Sequence, residues 1–381
     1  MIRVGFIGAM SKEWMGGVNY FKNLLYALNS MRIKELEIFV FVGKKTDEDI
    51  KNMFKKHATV IEDSLFDTKS IKWFFSKIGF NIFGSHFFLE NLLNQYDLEI
   101  LSHSFITRIR NIKTINWIPD FQHIHLPNMF SKEEVEKRNK SFMDIIKFSD
   151  AVVVSSNDAM KDLMNFAPFY KSKAKVLHFV SQPHESYYKF DKNNLNKLNE
   201  KYKLKDDFFY IPNQFWKHKN HLIVLKALGE LKREGCEINL VCSGYLNDYR
   251  NKNYIEQIKE FILKNNLSKN IKLLGLVDDE DVYGLIKLSK AVINPSIFEG
   301  WSSTVEECKS VGKNMILSDI DVHKEQYPSA IFFERNSVES LKNAIKDYKE
   351  DYSNNKIEAL DIRTKKYADA YVNLSKSIIN T

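Results

Sequence analysis

Short apolar runs alternate with amphipathic stretches along most of this chain. The first run, at positions 3–8, is short and uninterrupted, which is typical of a buried parallel strand. A loop with Gly16 and Gly17 follows, and apolar residues then recur at helical spacing from Tyr20 to Leu28. This order predicts a strand, a glycine loop and a helix, in which backbone amides can approach an anion closely.

The alternation continues in two series. Further strands of the first series are predicted at 37–42, 98–102, 114–118, 151–155 and 176–180. Positions 181–207 are polar and weakly periodic, and we interpret them as a linker. Strands of the second series are predicted at 208–211, 239–243, 271–274, 291–294, 314–317 and 331–333, before a final helix at about 360–379. Strands alternating with helices predict an α/β fold with two Rossmann-like, doubly wound parallel sheets.

Composition restricts the possible classes of protein. A chain of 381 residues with abundant aromatic side chains can form two or three domains with full cores. Three cysteines without CxxC spacing indicate neither a disulfide framework nor a zinc site, so we expect a reducing, cytoplasmic compartment. We expect no signal peptide and no membrane-spanning helix. The net charge of +7 suits an anionic ligand or an anionic lipid surface and does not require nucleic acid.

The most informative stretch is PSIFEGWSSTVEE, at positions 295–307. A buried-looking strand leads into it, the chain turns at Gly300, and a helix follows. The open start of a helix attracts anions, because its first amides are unpaired and its dipole is positive there. Two carboxylates, Glu299 and Glu307, flank this predicted anion site and suit the hydroxyls of a sugar or ribose. Hydroxyl donors and candidate N-caps stand at Ser302, Ser303 and Thr304.

A second anion site is predicted in the run PNQFWKHKNH, which follows the first strand of the second series. Lys217 and Lys219 stand at the carboxyl end of a strand and just before a helix. Fixed cations in that position stabilise negative charge where it develops on a leaving phosphate. This chemistry requires no metal, and we expect neither a metal site nor a cofactor.

The pattern PSxxEGxxxxxxE resembles the signature of the retaining glycosyltransferase family 4, which has the GT-B fold, and the lysine run resembles members that assemble bacterial surface polysaccharides. The resemblance implies that Glu299 faces the donor sugar, that Glu307 holds the donor ribose, and that Lys219 contacts the donor diphosphate. Gly312 and the later run SDI also resemble the family pattern. Asn213 or Gln214 stands where family members usually carry an arginine.

The same resemblance implies the organisation of the whole protein. It implies an acceptor-side domain at 1–185, a donor-nucleotide domain at 203–362 and a helix at 363–381 that crosses back to the first domain, with ligands in an interdomain cleft. Gly16 and Gly17 would touch the donor phosphates, and the backbone at Val277 would lie over the nucleobase. On the acceptor side, Asp120 is the best match. Histidines at 103, 123 and 125 are further candidates for acceptor contact.

One stretch leaves two interpretations open. Positions 70–93 are rich in phenylalanine and include Trp73, Lys72 and Lys77. An aromatic and basic stretch of this kind can lie at a membrane interface. Aromatic helices also form cores, and glycines at 79 and 84 argue against one long helix.

The function predicted from the sequence is a retaining, hexosyltransferase-type enzyme. It would move a sugar from a nucleotide-diphosphate sugar to a glycan or lipid-linked glycan acceptor in surface polysaccharide biosynthesis. We expect a cytoplasmic protein with peripheral contact to the inner membrane. Two alternatives stay open: a sugar-nucleotide epimerase of the same fold, and a non-catalytic GT-B partner subunit.

Overall fold

A computed structural model describes residues 1–8, 15–31, 34–84, 86–205, 207–248, 250–349 and 357–380. The chain divides into two compact units. The N-terminal unit comprises Met1–Phe121, Lys132–Ser181 and Ala359–Thr381, and the C-terminal unit comprises Gln122–Ser131 and Gln182–Glu358. This division assigns the short segment Gln122–Ser131 to the C-terminal unit.

The N-terminal unit is built on a parallel sheet of seven strands in the order β3-β2-β1-β4-β5-β6-β7. Its strands are β1 (Ile2–Ile7), β2 (Leu36–Val42), β3 (Thr59–Glu62), β4 (Ile100–Ser102), β5 (Lys113–Ile118), β6 (Ala151–Val154) and β7 (Ala174–Val176). Its helices include α1 (Met15–Ser30), α2 (Glu48–Lys55), α3 (Ile71–Phe83), α4 (Phe87–Asn94), α6 (Lys132–Phe148), α7 (Asn157–Phe166) and α16 (Leu360–Ile379). The short α5 (Gln122–His125) lies in the inserted segment.

The final helix, α16, belongs to the N-terminal unit. The hydroxyl of Tyr371 on α16 donates a 2.8 Å hydrogen bond to Oγ of Ser102 at the end of β4. The Tyr371 ring also stacks on Phe6 of β1, with 5.9 Å between ring centroids. Both contacts are buried, so α16 is part of the core of this unit.

The C-terminal unit has a parallel sheet of six strands in the order β10-β9-β8-β11-β12-β13. Its strands are β8 (Phe208–Ile211), β9 (Asn239–Ser243), β10 (Ile271–Gly275), β11 (Val292–Asn294), β12 (Met315–Ser318) and β13 (Ile331–Phe333). Its helices include α8 (Ser186–Lys189), α9 (Lys192–Tyr202), α10 (His221–Arg233), α11 (Tyr254–Lys264), α12 (Asp279–Leu288), α13 (Ser303–Ser310), α14 (Asp321–Gln326) and α15 (Val338–Lys346).

Alternate side chains of β8 enter two separate cores. Phe209 and Ile211 lie in the cluster that includes α10 and α11. Phe208 and Tyr210 lie in the cluster on the opposite face, with α12 and α13. Because successive side chains of a strand point to opposite faces, a strand that is apolar throughout must be covered on both sides. This arrangement confirms the predicted doubly wound α/β class.

The predicted linker is wrong in part, because α8 and α9 form within 181–207. Asp191 caps α9 by accepting a hydrogen bond from the amide of Asn194 at 2.8 Å. Leu198, only 4% exposed, packs with Phe190 into the core beside α12. A few apolar side chains are enough to fix these helices, and the polar majority concealed them from a periodicity analysis.

Two further predictions for the N-terminal unit were wrong in position. The strand predicted at 176–180 forms earlier, at Ala174–Val176, and Leu177, Phe179 and Val180 are buried without strand pairing. Gly16 and Gly17 lie in the first turn of α1 and not in a loop before it. The rest of the expected loop, residues 9–14, lies outside the described residues.

Candidate active site

A buried ion pair joins two loops at the carboxyl edge of the second sheet. Nζ of Lys219 donates to Oε1 of Glu299 at 2.6 Å, and these side chains are 15% and 9% exposed. The Lys219 loop follows β8 and the Glu299 loop follows β11, which are neighbours in the sheet. The strand order reverses between them, and this is the point where open α/β sheets bind ligands.

The two loops are also joined through their backbones. The amide of Ile297 donates to the carbonyl of His218 at 2.9 Å. On the first loop, the amide of Lys217 donates to Oδ2 of Asp248 at 3.0 Å. These bonds fix the turn Lys217–Lys219, so the ammonium of Lys219 is held in place by structure on both sides.

The carboxyl of Glu299 is ionised at neutral pH. Burial alone would raise its pKa, but the ammonium of Lys219, together with His323 and His218 once these are protonated in acid, lowers it to about 2. The two histidines are themselves neutral, because burial lowers the pKa of His218 to about 3 and that of His323 to about 4. The site therefore presents one carboxylate and one ammonium beside two neutral imidazoles.

A network of buried polar side chains supports the pair. The hydroxyl of Ser296 lies 2.7 Å from Oε1 of Glu299 and 2.7 Å from Oδ1 of Asn294, and it has one hydrogen to share. Asn213 donates to the same Oδ1 at 3.1 Å, and Asn294 donates to Oγ of Ser302 at 2.9 Å. Buried amides and hydroxyls that satisfy one another in this way specify a single arrangement of the loops.

The start of α13 completes this network. Ser302 is the N-cap, and its hydroxyl accepts from the amide of Val305 at 3.4 Å. The hydroxyl of Thr304 donates to Oδ1 of Asn213 at 2.9 Å. Two of the three predicted hydroxyls are thus committed to the protein itself. Ser303 is half-buried, and its hydroxyl makes no hydrogen bond to the described residues.

The first backbone amides of α13 have no acceptor within the helix, as in any helix start. Those of Ser303 and Thr304 follow the N-cap directly. The structure therefore places an open helix N-terminus on the loop that follows β11, beside the loop that carries Lys219 and Glu299.

The remaining predicted residues of the C-terminal unit occupy varied positions. Lys217 is exposed, so its ammonium is in water, close in sequence to Lys219. Glu307 is half-buried on α13, and its charge adds to burial in raising the pKa of Tyr283. Val277 is half-buried in the loop after β10 and packs against the neighbouring core. Its strand ends at Gly275, whose carbonyl accepts from the amide of Gly244 at 2.8 Å.

Three predicted residues lie in the N-terminal unit. Asp120 is half-buried two residues beyond the end of β5, at the carboxyl edge of the first sheet. Gly16 and Gly17 stand in the first turn of α1, at the same edge. In this position their amides are among those that the helix itself leaves unpaired.

The three candidate histidines differ in exposure, since two are buried and one is exposed. His103 is 2% exposed, bonded to Tyr20 at 2.9 Å and to Ser102 at 2.7 Å, and burial lowers its pKa to about 3. It is a core residue of the N-terminal unit and does not reach the surface. His123 is fully buried, whereas His125 is exposed and lies against Phe298, with 5.0 Å between ring centroids. His125 thus contacts the neighbour of Glu299 within the C-terminal unit.

Sequence reasoning missed several residues of this site. The amide side chains of Asn213, Asn294 and Gln326 are buried beside the ion pair's loops. Oε1 of Gln326 accepts from the amide of Ser302 at 3.1 Å. His323 lies on α14, and its Nε2 has no hydrogen-bond partner among the described residues. The available signal was an asparagine at the end of an apolar run, as at Asn213 and Asn294, since buried polar groups need partners.

Arg250 was also missed. Its guanidinium lies 5.2 Å from the ring of Trp216 and 5.3 Å from that of Phe130, and it donates to Oε1 of Gln122 at 2.9 Å. These contacts, together with that of His125, hold the segment Gln122–Ser131 within the C-terminal unit. Among the described residues no cluster of three His, Cys, Asp or Glu side chains is arranged to hold a metal ion.

The chain is similar to several known glycosyltransferases. Residues 192–367, somewhat under half of the chain, match the model of the family described as glycosyl transferases group 1. That range contains the ion pair, the network and the start of α13. A curated relative, the capsular polysaccharide biosynthesis glycosyltransferase CapH of Staphylococcus aureus, is 27% identical over 201 residues. The match covers 51% of this chain and 51% of CapH, so the chain spans about half the length of that relative.

Solved structures resemble the whole chain. A glycosyltransferase from Rickettsia africae has a TM-score of 0.68 at 16% identity and covers 100% of this chain, with 98% of its own length matched. Anabaena Alr3699/HepE, solved in complex with UDP and glucose, has a TM-score of 0.70 at 14% identity, covering 99% and 98% of the two chains. At these identities the likeness concerns the fold, and it confirms the predicted GT-B fold class.

Proposed function

We propose that this chain is a cytoplasmic, retaining glycosyltransferase. It moves a hexosyl group from a nucleotide-diphosphate sugar to a glycan or lipid-linked glycan acceptor in surface polysaccharide biosynthesis. The observation that carries the proposal is the buried pair of Lys219 and Glu299, at the point where the order of the second sheet reverses. The family match over 192–367 supports glycosyl transfer, the likeness to CapH supports the polysaccharide setting, and the HepE complex supports a nucleotide-sugar donor.

Lys219 and the start of α13 would stabilise the leaving group. Transfer breaks the bond between the anomeric carbon and a diphosphate oxygen, and the bonding electrons leave with the diphosphate. An ammonium has three N–H donors, and Glu299 takes one of them, so two remain for phosphate oxygens. The unpaired amides of Ser303 and Thr304 add donors at the positive end of a helix. Groups fixed in advance where charge develops lower the barrier strongly.

Glu299 would act on the sugar side of the broken bond. Its carboxylate is ionised, largely buried and fixed by Lys219 and Ser296. It can accept hydrogen bonds from sugar hydroxyls and stabilise positive charge that develops at the anomeric carbon. In retention by front-side substitution, the acceptor hydroxyl forms its bond on the face that the diphosphate leaves, and its proton passes to the departing phosphate oxygen. No protein nucleophile is then required.

The remaining roles extend this assignment. Glu307 would hold the ribose hydroxyls, the backbone near Val277 would cover the base, and Lys217 would add positive charge near the phosphates. Asp120 would bind the acceptor. Gly16 and Gly17 would present helix-start amides to the donor phosphates.

The test is donor turnover by purified variants. A thermal-shift panel of UDP-, GDP- and dTDP-sugars first selects the donor, because a ligand at one hundred times its Kd adds about 2.7 kcal/mol to stability. Lys219→Met and Glu299→Gln should each lower turnover by about 10²–10³-fold. Lys226→Met is the matched control, because Lys226 is an exposed lysine on α10. Its turnover should equal that of the unmodified protein.

Three outcomes would contradict the proposal. Unchanged turnover in both site variants would exclude the pair from the reaction. Conversion of the donor to another sugar nucleotide without acceptor, seen by NMR, would indicate an epimerase. NMR of the transferred sugar also tests retention, because inversion of the anomeric configuration would exclude a front-side mechanism.

A further inference from the structure

Exposed apolar side chains are concentrated on α3 and α4 of the N-terminal unit. Ile71, Phe74, Phe75, Phe87 and Phe88 are 77%, 56%, 52%, 58% and 42% exposed, and we call these five side chains the α3–α4 patch. Five of the fifteen large hydrophobic side chains exposed among the described residues thus lie within 18 consecutive positions. Scattered exposed hydrophobics need no explanation, but a contiguous group indicates an interaction surface.

The geometry of α3 is the reverse of that of an ordinary surface helix. Ile71, Phe74 and Phe75 are spaced i, i+3 and i+4, so they share one face, and that face points to solvent. Lys72 and Lys77 fall on either side of this apolar stripe, at about 100° per residue. A helix with exposed aromatics flanked by lysines is typical of one that lies at a lipid–water interface.

The segment that carries the patch contains lysines and lacks carboxylates. No aspartate or glutamate occurs from position 68 to position 89, although the chain averages about one acidic residue in eight. The same stretch contains Lys69, Lys72 and Lys77. Lys72 is paired with Asp63 at 2.9 Å, and Lys77 lies over the ring of Trp73 at 4.2 Å, while Lys69 is exposed. The surface around the exposed rings is therefore basic and suits an anionic partner.

We propose that the α3–α4 patch docks on an anionic lipid bilayer, with its aromatic rings among the acyl chains and its lysines at the headgroups. The alternative occupant is a second copy of this chain. A twofold interface would place the same lysines opposite one another, and like charges oppose such pairing. This inference deepens the proposed function, because a lipid-linked acceptor would lie at the bilayer. It rests on the proposed function only for that acceptor, since binding to a bilayer can be measured without donor turnover.

The experiment is flotation of the full chain with vesicles. Vesicles of phosphatidylcholine alone are compared with vesicles that also contain phosphatidylglycerol. We expect the unmodified protein to float with the anionic vesicles and to be released by high salt. Phe74→Glu/Phe75→Glu should lower the partition coefficient at least about tenfold, because two rings leave the apolar face. Lys69→Gln should lower it about fivefold on anionic vesicles only.

The matched control is Phe169→Glu, which changes a phenylalanine that is 94% exposed and lies near β7, at the opposite edge of the same sheet. This variant should float like the unmodified protein. All variants should keep the melting temperature of the unmodified protein, since the changed side chains are exposed. No flotation of the unmodified protein, or equal loss in Phe169→Glu, would overturn the inference. So would a dimer in light scattering that Phe74→Glu/Phe75→Glu dissolves.

Failure here is distinguishable from failure of the proposed function. A protein that turns over a sugar nucleotide but does not float refutes the docking surface alone. A protein that floats through the patch but turns over no donor refutes the enzyme assignment and leaves the docking surface intact.

Discussion

Removal of the ammonium of Lys219 should destabilise the C-terminal unit in a measurable way. Lys219→Met keeps most of the side-chain length but leaves the carboxylate of Glu299, which is 9% exposed, without its cation. Breaking one side of a buried ion pair costs about 3–5 kcal/mol, because an uncompensated charge stays buried. The pKa of Glu299, lowered from 4.5 to about 2, gives a similar scale of about 3 kcal/mol.

A double-mutant cycle measures the coupling itself. We expect Lys219→Met to lower the free energy of unfolding by about 3 kcal/mol, and Glu299→Gln by less, since an ammonium on a flexible stem can turn toward water. The double variant carries neither charge, so it should be more stable than the sum of the single losses predicts, by about 2 kcal/mol. Urea unfolding measures the free energies of unfolding. Amide hydrogen exchange of peptides from 208–333 then assigns the change to this unit.

Additivity would refute the reasoning. If the two single losses sum to that of the double variant within about 0.5 kcal/mol, the two charges are not coupled in solution. The same holds if Lys219→Met is as stable as the exposed control Lys226→Met. Either result would remove the structural basis of the proposed site.

Four further outcomes are expected. Because the pKa of Glu299 is lower in the folded protein, its stabilisation is complete above about pH 4.5 and is lost as pH falls toward 2; urea midpoints should show this fall, and Glu299→Gln should reduce it. Thr304→Val leaves Oδ1 of Asn213 without a donor and should cost about 1–3 kcal/mol in urea unfolding. Gly244→Ala places a Cβ 2.7 Å from the carbonyl carbon of Asn213 at a φ of +138°, and should lower Tm by several degrees, whereas Gly16→Ala, where the described residues place no atom within 4 Å of a new Cβ, should not. Tyr371→Phe removes the buried bond to Ser102 and should cost about 1 kcal/mol, measured by hydrogen exchange in α16.

The second sheet was predictable because of where its strands lie. Strands buried on both faces are apolar throughout, and the segment Phe208–Ile211, buried along its whole length, was predicted to the residue. The edge strand Thr59–Glu62 was missed, since it is short, has only two apolar residues and is exposed at both ends. An edge strand that pairs with one neighbour and is partly exposed to solvent lacks the continuous apolar pattern that identifies its buried neighbours.

The site was predictable only in its charged groups. Lys219 and Glu299 each stand at the end of a predicted strand, and sheet topology then brings them together. The network that fixes them depends on contacts across the sheet, between Asn213 and Asn294, 81 positions apart, and between Asn213 and Thr304, 91 positions apart. No periodicity along the chain encodes such pairings, so the sequence indicated the charged groups but not the network that holds them.

Asn213 has a structural role at a position where the resemblance led us to expect an arginine. An amide donates and accepts at once, and Asn213 uses both ends, toward Asn294 and toward Thr304. An arginine has only donors and could not accept from Thr304. Arg250 does not replace the missing charge, since Gln122 and Asp248 hold its guanidinium. The positive charge that faces Glu299 is therefore a compact ammonium with donors to spare, and a planar guanidinium in Lys219→Arg would not reproduce its geometry.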